Sequence, residues 1–110
     1  MFLMLLNTAG SAPFADITNY YGHNVSVIDT ATNNITTNVT GLNYPFEIAF
    51  SPDGTKGYVV NLGNNTVSVI NTTTNKVTAT VDVGINPEGV AVTPDGKKVY
   101  VTNAYNTMSL

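Results

Sequence analysis

Along most of the chain, short runs in which Val, Ile and Thr alternate with polar residues are closed by Asn, Asp, Gly or Pro. Alternation with a period of two is the mark of strands with one buried face. In the clearest stretch it predicts strands at Thr66 to Asn71, Lys76 to Val83, Gly89 to Thr93 and Lys98 to Asn103. Thr93-Pro94-Asp95-Gly96-Lys97 predicts a tight hairpin. Its proline fixes φ, its aspartate can bond to the nearby backbone, and its glycine is free to take positive φ. Thr72-Thr73-Thr74-Asn75 predicts another turn. Outside Phe2 to Leu6 no stretch sustains a helical period, so no helix is expected.

The pattern repeats. Shifting the sequence by 42 residues places Val25-Ser26-Val27-Ile28 on Val67-Ser68-Val69-Ile70, and Pro52-Asp53-Gly54 on Pro94-Asp95-Gly96. Residues 24–65 and 66–107 share 19 identities in 42 positions, the signature of an internal duplication. Asp16 to Asn19 and Thr107 to Leu110 are partial copies at either end. A four-strand antiparallel unit of this length buries its faces only against neighbours of the same kind. The fold class expected is all-β: β-propeller blades, with residues 16–110 forming an incomplete propeller.

Tyr100-Val101-Thr102-Asn103, preceded by Pro94-Asp95-Gly96-Lys97-Lys98, resembles the YVTN repeat of archaeal and bacterial surface-layer and cell-surface propellers. The resemblance implies that the strand leading into Pro-Asp-Gly is innermost, the Tyr-Val-Thr-Asn strand second, and the Lys76 to Val83 strand outermost. Asp16 in place of Tyr, and Gly57 in place of an apolar residue, depart from the pattern and leave the first blade's packing open. Such propellers usually close with about six to eight blades. The chain is thus expected to be part of a longer protein or to assemble from several copies, with open blade edges able to self-associate.

Charge and composition narrow the partners. With four lysines, no arginine and a net charge of −3, the chain lacks the basic footprint that nucleic acids or anionic membranes require. Cysteine is absent, which removes disulfides and thiolate chemistry. Phe2 to Leu6 followed by Thr8 to Ala15 resembles the end of a secretory leader, so residues 1–15 are expected to be a signal-peptide remnant and the protein secreted or at the cell surface. The apolar run is too short to span a membrane.

Catalytic, cofactor and metal sites find no constellation. His23 is the one histidine and is read as a solvated loop residue. Asp53 and Asp95 are explained as turn formers. Asn61 and Asn103 close the Tyr-Val-Thr-Asn strands and are expected to bond locally. Tyr58 and Tyr100 are read as packing between blades, whereas Tyr20, Tyr21, Tyr44 and Tyr105 fall in predicted loops, as four scattered aromatics. The loops holding Tyr44, Glu47, Asn86 and Glu88 precede the innermost strands and are the expected ligand contacts, for a weak cation or a sugar. Asn24, Asn34, Asn38, Asn64 and Asn71 carry the acceptor pattern for glycosylation. The expectation is a non-catalytic scaffold for structure, adhesion or binding, with other surface proteins or polysaccharides as partners. The alternative is a fragment of a lactonase-like or quinone-dependent dehydrogenase-like propeller enzyme whose active-site residues lie elsewhere.

Overall fold

A computed structural model of the chain describes residues 13–105 and the backbone of residues 4–7. Among the described residues ten strands run in chain order: β1 (Met4–Asn7), β2 (Phe14–Asn19), β3 (Asn24–Asp29), β4 (Asn34–Val39), β5 (Pro45–Phe50), β6 (Lys56–Asn61), β7 (Thr66–Asn71), β8 (Lys76–Asp82), β9 (Ile85–Val92) and β10 (Val99–Tyr105). Among the described residues there is no helix. Two four-stranded sheets, β1-β2-β3-β4 and β5-β6-β7-β8, are followed by the pair β9-β10, all antiparallel. Each 42-residue unit therefore supplies the two outer strands of one blade and the two inner strands of the next.

Part of the apolar run expected to be a leader forms β1, which takes the place beside β2 that β5 takes beside β6. Of the expected cleavage region at residues 8–15, residues 8–12 lie outside the described residues, as does the partial copy at residues 107–110, while Phe14 and Ala15 begin β2.

The Pro-Asp-Gly hairpins have the expected chemistry. Gly54 and Gly96 both sit at φ 74°. Their N–H groups donate to the carbonyls of Ser51 and Thr93, each at 2.8 Å. The outer hairpins also repeat, with Asn33 and Asn75 at φ 59° and 57°. Register irregularities recur at equivalent places, between Val27 and Ile28 and between Val69 and Ile70.

Blades meet through β-branched side chains. Val25, Val27 and Val39 of the first sheet pack with Leu42 and with Ile48, Val59 and Ile70 of the second. Val60 and Val67 pack with Val90 of the third. Gly57, an expected weak point, is filled from its own sheet: a Cβ there would stand 3.3 Å from the Phe50 ring. Beyond the second interface, Val69, Val81 and Val83 border an open apolar groove with Tyr58, Val99 and Val101. In the first blade pair, the corresponding ground is covered by the second blade's Ile70 and Val77.

Candidate functional site

Strand ends gather at two rims. On one lie the Pro-Asp-Gly turns, where every acidic group is used locally. Asp53 Oδ1 accepts from Ser51 Oγ at 2.7 Å and from Thr55 N at 3.0 Å. Asp95 Oδ1 accepts from Thr93 Oγ1 at 2.6 Å and Lys97 N at 3.0 Å. These bonds, first those from the Ser51 and Thr93 hydroxyls, hold both carboxyls below the ordinary range, Asp53 at about 2. Such ionised, self-satisfied carboxylates are turn formers.

The opposite rim is built from the β2–β3 turn, the β4–β5 connection and the β6–β7 turn. Here the blades are latched by side chains reaching across. The Tyr44 N–H donates to His23 Nδ1 at 3.1 Å, and 42 residues later the Asn86 N–H donates to Asn65 Oδ1 at 2.9 Å. All four residues adopt positive φ: His23 57°, Asn65 60°, Tyr44 48° and Asn86 57°. His23 is thus a half-buried latch and not the solvated loop residue expected. Its accepting Nδ1 places the proton of the neutral ring on Nε2.

Asn61 has its expected local role, carried by side chains as well as backbone. Its amide donates to Thr66 Oγ1 at 3.1 Å and Ser68 Oγ at 2.8 Å, and its Oδ1 accepts from Asn43 N at 3.1 Å. Asn19 makes the matching pair of bonds to Asn24 and Ser26.

The expected contact residues separate. Tyr44 directly precedes β5, but Glu47 lies within β5, and Asn86 and Glu88 lie within β9, so these three belong to strands and not to loops. Glu47 Oε1 accepts from the Val90 N–H at 3.1 Å, which ties one innermost strand to the next. Glu88 is exposed and receives a long bond of 3.4 Å from Asn86 Nδ2. The two glutamates are not repeat equivalents: 42 residues beyond Glu47 stands Gly89, and Glu88 corresponds to Phe46.

What the rim brings together instead is aromatic. Tyr20 lies 4.9 Å from Tyr21 and 4.8 Å from Tyr44, ring centre to ring centre, and 6.3 Å from Phe46. His23 packs edge-on to Tyr44 at 4.3 Å. Three of the four tyrosines read as scattered are therefore one cluster, and the fourth, Tyr105, ends β10. Comparing residues 20, 21, 23, 44 and 46 with their copies 42 residues later was the signal that could have found it.

A second group escaped the sequence reading. Asp16 is 1% exposed and its Oδ1 has no hydrogen-bond partner. It shares a face of β2 with Thr18, whose hydroxyl donates to the Phe46 carbonyl across the blade junction. Burial pushes the Asp16 carboxyl up to about 7.

Of the sequon asparagines, Asn34, Asn38 and Asn64 are exposed, while Asn24 and Asn71 are half-buried. The Asn71 Oδ1 accepts from Thr73 N within its turn. Among the described residues no three His, Asp or Glu side chains converge as a metal site would need.

No protein-family profile matches the chain, and no curated protein matches it. Solved structures do. The chain is similar to hydrazine synthase from Kuenenia stuttgartiensis, with 33% identity and a TM-score of 0.82 over 91% of this chain and 28% of that one. It is similar to a putative 6-phosphogluconolactonase from Bacteroides fragilis, with 25% identity and a TM-score of 0.75 over 92% of this chain and 31% of that one. The dihydro-heme d1 dehydrogenase NirN, in complex with DHE, shares the fold at 23% identity and a TM-score of 0.73, over 93% of this chain and 24% of that one. These are β-propeller proteins, and this chain has the all-β fold of part of one. It spans between about a quarter and a third of their lengths.

Proposed function

We propose that the chain is one section of a secreted or cell-surface propeller of the YVTN-repeat kind, working as a binding or adhesion scaffold and not as a catalyst. The observation that carries this reading is the division of labour at the two rims. On the Pro-Asp-Gly rim the turn carboxylates are occupied by their own turns, whereas on the other rim aromatic rings gather, with Tyr21 exposed where a rigid repeat scaffold presents it outward. Polysaccharides or other surface proteins are the partners, and further blades supply the rest of the disc.

Export rests on the apolar run at residues 2–6. Residues 4–6 of that run belong to β1, so the amino-terminal sequence of the mature protein decides between cleavage and retention.

A second reading, a section of a propeller enzyme, is favoured by two observations. The similar structures include enzymes by name, and Asp16 has the near-neutral affinity for protons suited to a general base. Its burial argues the other way, since a general base must reach a substrate proton. Incubating the full-length protein with sugar lactones, and with alcohols plus a quinone acceptor, tests the choice. The scaffold reading expects no turnover; turnover lost in Asp16→Asn would establish the enzyme instead.

A further inference from the structure

The repeat contains its own control for the aromatic rim. Advancing Tyr20, Tyr21, His23, Tyr44 and Phe46 by 42 residues leads to Leu62, Gly63, Asn65, Asn86 and Glu88, with no aromatic ring among them. Yet the second junction keeps the same architecture, including the positive φ values and the N–H bond between the latch residues. Joining two blades therefore does not need the rings. Tyr44 also holds φ at 48°, a left-handed conformation that Asn86 adopts at little cost and that a bulky side chain resists by about 1–3 kcal/mol. A cluster that blade packing does not need, containing a backbone strain its counterpart avoids, points to a contact outside the chain.

The geometry selects the kind of contact. A quaternary ammonium cage needs several ring faces lining one open gap wide enough for the cation. Here Tyr20 and Tyr21 meet at 90° with centres 4.9 Å apart, and Tyr21 and Tyr44 at 83° and 6.4 Å, so each ring fills the space before its neighbour. What remains open is the outer surface, where Tyr21 is 81% exposed.

Charge selects further. No lysine or arginine occurs before Lys56, so the turns that carry the rings offer no counter-charge to a phosphate or an acidic sugar. The carboxylate of Glu47 is taken by Val90 N–H. Neutral amides occupy the turns that carry the rings: Asn24, whose Oδ1 accepts from Asn19, lies beside Gly22 in the first turn, and Asn43 sits with Tyr44 against Gly63 of the next, where any Cβ would collide with them. An apolar platform edged by amides and phenol hydroxyls matches a ring with a C–H face and a rim of neutral hydroxyls.

We propose that Tyr20, Tyr21, Tyr44 and Phe46 form a stacking platform for a neutral pyranose unit of a polysaccharide, with Tyr21 supplying the exposed ring and Asn24 and Asn43 the flanking amides. This rests on the scaffold reading above and names its ligand class and site. The latch between His23 and Tyr44 fixes the second turn relative to the first, so the platform is held before ligand arrives.

Calorimetric titration of the full-length protein with cellopentaose, maltopentaose and mannopentaose tests the proposal, with an oligogalacturonate as the acidic control. The expected result is binding of at least one neutral oligosaccharide and not of the acidic one. That binding weakens roughly tenfold or more in Tyr21→Ala and stays within about twofold in Tyr21→Phe. It is unchanged in Tyr105→Ala, an exposed ring at the equivalent position two repeats on. Matching denaturation midpoints for parent and Tyr21→Ala separate binding from folding. Binding insensitive to Tyr21→Ala, or no binding of any neutral oligosaccharide, overturns the platform. In that event, capture of polysaccharide or a surface protein through other residues would leave the scaffold reading standing, and turnover of a lactone would remove both.

Discussion

The carboxylate of Glu47, in the innermost strand of the second blade, accepts the backbone N–H of Val90, 43 residues along the chain in the innermost strand of the third, at 3.1 Å. A partly buried donor that loses its acceptor costs about 1–3 kcal/mol. Glu47→Ala is therefore expected to lower the denaturation midpoint of the full-length protein by that order. Glu47→Gln keeps a carbonyl oxygen in place and is expected to stay close to the parent. Equal loss in both variants would mean that charge, and not the bond to Val90, is what matters.

Asp16 gives the protein an unusual pH response. Its carboxyl is raised from 3.8 in the unfolded chain to about 7 in the folded one by desolvation. The folded state thus holds a proton that the unfolded state has released, and stability falls as pH rises from about 4 to about 7, then levels off. The full effect is up to ~4 kcal/mol at 1.36 kcal/mol per unit. Asp53 and Asp95 act in the opposite direction, but only at lower pH, where stability is lost as Asp53 is protonated toward about 2. Unfolding titrations at pH 4.5 and 8 are expected to show higher stability at the lower value, with the difference abolished in Asp16→Asn. A flat profile in the parent would contradict the buried placement of this carboxyl.

Gly96→Val tests the repeat at a turn. A Cβ at Gly96 would meet Pro52 Cδ at 3.4 Å, an ordinary contact, so the cost lies in φ at 74° and not in crowding. A β-branched residue there is expected to lose at least about 1–2 kcal/mol. Gly22→Ala, where φ is not positive and the nearest atom is 3.4 Å away, is expected to change little. Chemical denaturation of both variants checks the contrast.

The strands and the hairpins were legible because each rests on local chemistry: alternation, turn residues and a repeat that displays them twice; the order of strands within a blade was implied by the resemblance of the repeat. The candidate site was less so. Glu47 and Glu88 look alike as carboxylates just after a proline, but they differ by one place in the repeat, and a one-residue shift in a strand moves a side chain to the other face. Glu47 accordingly reaches the next blade, and Glu88 faces solvent. Tyr20, Tyr21 and Tyr44 lie up to 24 positions apart in sequence and meet only because the β2–β3 turn is latched to the chain entering β5. Asp16 is visible in the sequence as a replaced tyrosine, but its isolation follows from burial at the blade junction. The first blade's innermost strand was hidden because Met4–Asn7 has the apolar look of a leader.

The proposed neutral-glycan contact sits on one rim of a scaffold read as non-catalytic, at the first blade junction. Backbone chemical-shift mapping of the isotope-labelled full-length protein, titrated with neutral oligosaccharides and with divalent ions, tests it most directly. Oligosaccharide shifts are expected to concentrate at residues 20–24 and 43–47, with the equivalent residues 62–66 and 85–89 unaffected. Shifts confined to the outer strand at Asn34–Val39, or equal shifts at both junctions, would contradict it.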